Sequence, residues 1–275
     1  MDDLDMTSEM HALEPATPFD SPEECDGEAI HPDARVSPDA QIDEHGVKIG
    51  PFTIVYGGVR IGAGTVIDSH CVIGRPVAGN RDPLVVSEGS LIRSHSVFYQ
   101  GSTFGPGLRT GHNVTVREGI SAGAALQIGT LSDLQGHAEI GDYVRAHSNV
   151  HIGQKSKIGD FVWMFPYVVL TNDPHPPSEG QLSGVVIEDY AVLGTMTTIL
   201  PGVRVGTRSL VAAHALVSRD VGPDTIVAGV PAKPRGSTLD VQLRDGSGPA
   251  YPWMRHFHRG YPASIVDEWK RQYGG

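Results

Sequence analysis

"IGTLSDLQGHAEIGDYVRAHSNVHIGQKSKIGDFVWMFPYVVL", residues 128–170, decides the fold. Every sixth residue is apolar: Ile128, Leu134, Ile140, Ala146, Ile152, Ile158, Met164 and Leu170. Four places after each of the first seven comes a small or β-branched residue, Ser132, Ala138, Val144, Val150, Ser156, Val162 and Val168. A fixed short period marks a chain built by stacking one small unit many times, and no single unit could bury its apolar residue alone.

The register extends in both directions. Upstream it runs unbroken from Ile92 through Phe98, Phe104, Thr110, Val116 and Ala122, and an earlier series falls at Ile30, Val36, Ile42, Ile49, Val55, Ile61, Ile67 and Ile73. Downstream it resumes at Ile187, Leu193, Ile199, Val205, Val211 and Val217. Two segments break it, 74–91 and 171–186, the second reading "TNDPHPPSEGQLSGVV". The step from Leu170 to Ile187 is not a multiple of six, so a loop leaves the repeat there, and loops on so regular a scaffold are where function tends to be carried.

Composition agrees with many short strands joined by tight turns. The 275 residues include 34 Gly and 20 Pro with only 7% aromatics. The net charge of −11 is concentrated at one end: Met1–Glu28 holds ten Asp and Glu and no Lys or Arg. That arm, 1–29, is expected to be disordered. The near-neutral remainder offers no basic surface for nucleic acid. Cys25 and Cys71 cannot form a disulfide framework, and no Cys/His zinc spacing occurs. With neither an apolar leader nor a membrane-length apolar run, the expectation is a soluble cytoplasmic protein that does not engage membranes.

The pattern [LIV]-[GAED]-x-x-[STAV]-x, matched by "IGAGTV", "IGDYVR" and "IGDFVW", resembles the hexapeptide repeat of the left-handed parallel β-helix acyltransferases. The resemblance covers roughly residues 30–233 and implies an all-β domain, 30–235, in which three hexapeptides make a triangular coil, with coils about 4.8 Å apart. The remaining 236–275 is read as a tail capping the open end of the β-helix, with "ASIVDEWKRQ" as a short helix.

The same resemblance implies a homotrimer with active sites between subunits, transferring an acyl group from acetyl-CoA to an amine or hydroxyl. The acceptor is expected to be a sugar, most simply a nucleotide-linked amino sugar. "AVLGTMTTILPGVRVGTRSLVAAHALVSRDVGPDTIVAGVPAKPRG" is similar to the acetyl-CoA end of the sugar and nucleotide-sugar acetyltransferases. By that likeness Thr195, Ala212 and Ala213 face the pantetheine, and Lys233 and Arg235 meet phosphate.

Acyl transfer calls for a base, and histidine suits it. Two histidines compete. His175, in "LTNDPHPP", matches the loop histidine of maltose and galactoside acetyltransferases, with Asn172 and Asp173 beside it as substrate contacts. His112, in "TGHNVT", resembles the element that carries the base in lipid A N-acyltransferases, but residues 110 and 146 are two coils, about 10 Å, apart. "AHSNVH" gathers His147, Asn149 and His151 as acceptor contacts, while His137 is read as structural. The alternative is a zinc hydratase like the gamma-class carbonic anhydrases, with His147 and His151 as paired ligands. Their spacing of three intervening residues, where that family has four, argues against it and against a bound metal.

Overall fold

The computed structural model describes residues 29–178 and 180–274. The acidic arm, Met1–Glu28, lies outside them. Among the described residues the chain winds through three sheets in turn, each strand pairing with the strand one coil later. Face I runs in ten strands from Arg35–Val36 to Leu216–Val217. Face II runs in nine from Gln41–Ile42 to Arg204–Val205. Face III runs in eleven from Lys48–Ile49 to Lys233–Ser237. All pairings are parallel except the last, where Lys233–Ser237 turns back against Thr225–Ala228. This is a left-handed parallel β-helix.

The six-residue series supplies the inward side chains. Ile67, Ile73, Ile92, Phe98, Phe104, Ile128, Leu134, Ile152 and Met164 are all below 2% exposed. Burying each such side chain contributes roughly 1.5–3 kcal/mol, and stacking makes the core continuous along the axis. The fifth-place residues are buried too, and their hydroxyls tie one coil to the next. Ser132 Oγ donates to the carbonyl of His147 at 3.0 Å and accepts from the Val150 N–H at 3.1 Å.

Each corner needs one residue in the left-handed region. Leu131, His137, Tyr143, Asn149, Lys155, Phe161 and Tyr167 all have φ between +48° and +65°. For a residue other than glycine this costs roughly 1–2 kcal/mol, and Asn tolerates it best. Stacking down the corner offsets part of the cost: Tyr143, Phe161 and Tyr190 lie with centroids 5.2 and 4.9 Å apart and planes 2° from parallel. On face II, Asp142, Asp160 and Asp189 form a second ladder. Each carboxylate accepts a backbone N–H from the preceding coil, at 2.7, 2.8 and 2.9 Å. The glycines at 141 and 159 follow from this, because a Cβ at either would lie 2.2 Å from the Asp oxygen of the next coil.

The first interruption is smaller than the sequence suggests. Val72–Arg75, Leu84–Val86 and Leu91–Ile92 are all rungs of the ladders, so only 76–83 leaves the coil. Val86 points inward six residues before Ile92, in register, at 1% exposure. The second interruption is 171–185, since Val186–Ile187 has rejoined face II. Both segments leave at the corner between faces I and II.

Cys71 is a free thiol at 0% exposure, and burial pushes it up to about 11. The chain divides into a unit spanning Gly27–Pro252 and a second that holds Trp253 onward. In the second, helix α1, Ala263–Tyr273, forms where the tail helix was expected. Its Trp269 packs edge-on against Trp253 at 5.5 Å and Tyr261 at 4.8 Å.

Candidate active site

The outer side of face I carries a polar row that ends at the extruded loop. Strand register places Thr115, Asp133, His151, Val169 and Thr198 one above another on successive coils. Asp133 accepts from Nδ1 of His151 at 3.2 Å and from the side-chain amide of Gln135. Those bonds, the His151 one first, hold its carboxyl below the usual carboxylate range. Two places along the row, the Arg117 guanidinium lies over the Tyr99 ring at 4.9 Å and is gripped in bidentate fashion by Glu118 at 2.8 and 2.9 Å.

The loop closes one edge of this row. A Cβ at Gly153 would lie 3.1 Å from Asn172 Cβ, so the Asn172 side chain rests on the strand that carries His151. Asp173 is turned into the loop: its two oxygens accept the N–H groups of His175 and Ser178, both at 3.0 Å. These bonds hold its carboxyl low, the Ser178 N–H first. His175 itself is exposed. Lys155 Nζ donates to the Leu182 carbonyl at 3.3 Å and fastens the far side of the loop.

The opposite edge of face I is the corner shared with face III. Ser94, His112, Thr130, Ser148, Pro166, Thr195 and Ala213 stack along it by register. His112 is exposed there, with Nδ1 2.8 Å from Ser94 Oγ. Four coils, about 19 Å at strand spacing, separate it from Thr195. His112 and His175 therefore stand on opposite edges of face I, with the Asp133–His151 pair between them.

"AHSNVH" is split by this corner rather than gathered. His147 turns toward face III, where it stacks on Phe165 at 5.2 Å, while His151 points from face I. Desolvation and then the Arg145 charge push the His147 imidazole below its usual value. Asn149 is the corner residue between them, at φ +59°. The paired-ligand geometry that a zinc hydratase would take from His147 and His151 is thus not formed within the chain. Among the described residues no three His, Cys, Asp or Glu side chains are gathered as a metal site. Nor is any described helix long and apolar enough to cross a membrane.

Ala212 lies on face III just past Leu210–Val211 and Ala213 at the corner beyond it. Lys233 and Arg235 are exposed on the last strand of the same face. A groove of about 670 Å³ lies elsewhere, on face II, lined by Glu139, Lys157 and the Asp160–Asp189 ladder. Those ladder carboxylates are already bonded to backbone, so face I has the better-equipped chemistry. The sequence reading missed Asp133 and Gln135. The signal was present, because residues 18 apart are neighbours on one face and Asp133 is 18 before His151.

Comparison with known proteins agrees with the fold. A family model described as bacterial transferase hexapeptide (six repeats) matches residues 44–75. The chain is 34% identical over 143 residues to an acyl-[acyl-carrier-protein]–UDP-N-acetylglucosamine O-acyltransferase of Saccharophagus degradans, covering 48% of each. It is 40% identical over 94 residues to a 2,3,4,5-tetrahydropyridine-2,6-dicarboxylate N-acetyltransferase of Staphylococcus aureus, covering 34% of this chain and 33% of that one. The chain thus spans about half the length of the curated relatives it matches, or less. In structure it is similar to an Arabidopsis UDP-N-acetylglucosamine acyltransferase, with TM-score 0.65 at 19% identity over 88% of both chains.

Proposed function

We propose that the chain is an acyltransferase that moves an acetyl group from acetyl-CoA to an amine or hydroxyl of a nucleotide-linked sugar, on the outer side of face I. The observation that carries this is one surface bounded by a corner of small residues on one edge and by an extruded loop on the other, with a carboxylate-held histidine between. The pantetheine runs along Thr195, Ala212 and Ala213, and Lys233 and Arg235 meet the CoA phosphates. The acceptor lies across the row from Asp133 toward Asn172, walled by the loop with Asp173 and His175. His112, His151 and His175 border that space as candidate bases, and His147 and Asn149 line its far corner. A homotrimer in the cytoplasm, in which a neighbouring subunit covers the open side of face I, completes the reading. Two supports outside this geometry are the acyltransferase names of the relatives and the fold match.

Titration calorimetry with acetyl-CoA tests the donor half. Ala213 is exposed, so Ala213→Trp leaves the core untouched while filling the path assigned to the pantetheine. The variant is expected to bind acetyl-CoA about tenfold more weakly or worse, a loss of about 1.4 kcal/mol or more. Lys233→Ala is expected to weaken binding less, and the difference from wild type should shrink as salt rises. Unchanged affinity in Ala213→Trp would remove the donor from this corner, and no binding of acetyl-CoA by the wild type would replace CoA in the scheme with a carrier-protein thioester.

A further inference from the structure

We propose that His151, and neither His112 nor His175, is the general base, and that Asp133 is the residue that positions it. This rests on the acyl-transfer reading and deepens it. The Asp133 carboxylate has no proton to give at neutral pH, so Nδ1 of His151 must be the donor in their 3.2 Å contact. That places the lone pair on Nε2, the nitrogen able to take a proton from an acceptor. Asp133 is in turn fixed by Gln135 and sits within the field of Arg117, so the carboxylate stays ionised as the imidazole charges. His112 has a serine hydroxyl as its ring partner, and His175 has only its backbone N–H held, by Asp173.

His151 is flanked on face I by Asp133 on one strand and Val169 on the other. One strand past Val169 lies Thr198, three residues beyond Thr195 at the donor edge. On the loop side, Gly153 brings Asn172 against the same strand. His151 therefore lies on face I between the two edges. The charged groups around it are Asp133 on the preceding strand, Arg117 with Glu118 one coil further, and, on its own coil, Lys155 and Lys157. Those two lysines are directed to the Leu182 carbonyl and to Glu139 on face II. The strand carrying Val169 contributes no charge beside it.

The chemistry balances without another reactant. The acceptor nitrogen or oxygen bonds to the thioester carbonyl carbon as its proton passes to Nε2 of His151. The carbon–sulfur bond then breaks, and the same proton leaves Nε2 for the departing sulfur as the free thiol forms. Asp133 stabilises the imidazolium between the two transfers and does not itself take the proton.

The test is steady-state kinetics of thiol release from acetyl-CoA with a nucleotide-linked amino sugar, measured as a pH profile on wild type, His151→Gln and Asp133→Asn. His151→Gln is expected to lower kcat by about 100-fold or more, with KM for acetyl-CoA changed far less. Asp133→Asn is expected to lower kcat by about tenfold or more through the wrong tautomer. It should also move the acid limb of kcat/KM to lower pH, because losing the anion disfavours the imidazolium. A merely structural Asp133 would leave that limb where it is. His151 is half-exposed, and matching unfolding midpoints separate a chemical loss from misfolding. If wild type turns over but His151→Gln keeps its kcat and its acid limb, the proposal is overturned while acyl transfer stands. If the wild-type protein releases no thiol with any sugar nucleotide, the underlying reading falls with it.

Discussion

Phe98→Ala is expected to lower the free energy of unfolding by about 4 kcal/mol. Phe98 is fully buried, its ring meets Phe104 edge-on at 5.5 Å, and its strand neighbours are Ile73 and Val116. In a triangular coil the interior is one side chain deep on each face, so no second layer can slide in to fill the space. The truncation therefore costs the lost transfer free energy, the cavity and the aromatic contact together. Phe98→Leu should cost much less, about 1.5 kcal/mol or under. Urea unfolding followed by circular dichroism measures both, and a loss below about 1 kcal/mol for Phe98→Ala would mean that the coil interior relaxes far more than cores do.

Gly159→Val is expected to cost about 3 kcal/mol, although glycine-to-valine elsewhere in a strand can stabilise. The new Cβ would stand 2.2 Å from Asp189 Oδ1 and 2.8 Å from the Asp189 backbone nitrogen. Valine must evict the carboxylate that accepts the Asp160 N–H and also push the next coil outward. Both effects act on one rung, and the stacked rungs on either side transmit the strain. Gly57→Ala is the control. There the added atom would meet nothing nearer than Asp39 Cβ and Ser37 Oγ, both at 3.4 Å, and the change should stay within about 0.5 kcal/mol. If Gly159→Val and Gly57→Ala unfold at the same urea concentration, the Asp ladder does not constrain coil spacing.

The six-residue period made the fold legible because one inward apolar residue per hexapeptide is a sequence property. The inward series from Phe98 to Leu170 is buried throughout, including the unusual Thr110, Ala122 and Ala146. Val86 was hidden because the excursion 76–83 shifts the count by one before it, and a shifted count looks like an absent one. Corner strain was not legible, since Tyr143, Phe161 and Tyr190 share a left-handed φ that no residue type announces. For the site, sequence distance misled where neighbouring letters face different ways. His147 and His151 are four apart yet lie across a corner, whereas Asp133 and His151 are 18 apart and touch. In a stacked coil the pair that interacts is the one a full turn away.

The central claim is tested most directly by mixing the protein with acetyl-CoA and a set of nucleotide-linked sugars, some bearing a free amine and some only hydroxyls, and following thiol release together with product mass. The account predicts thiol release that requires one of these acceptors, with one product heavier by a single acetyl group. An intact thioester with every acceptor in the set, amine and hydroxyl alike, would contradict it.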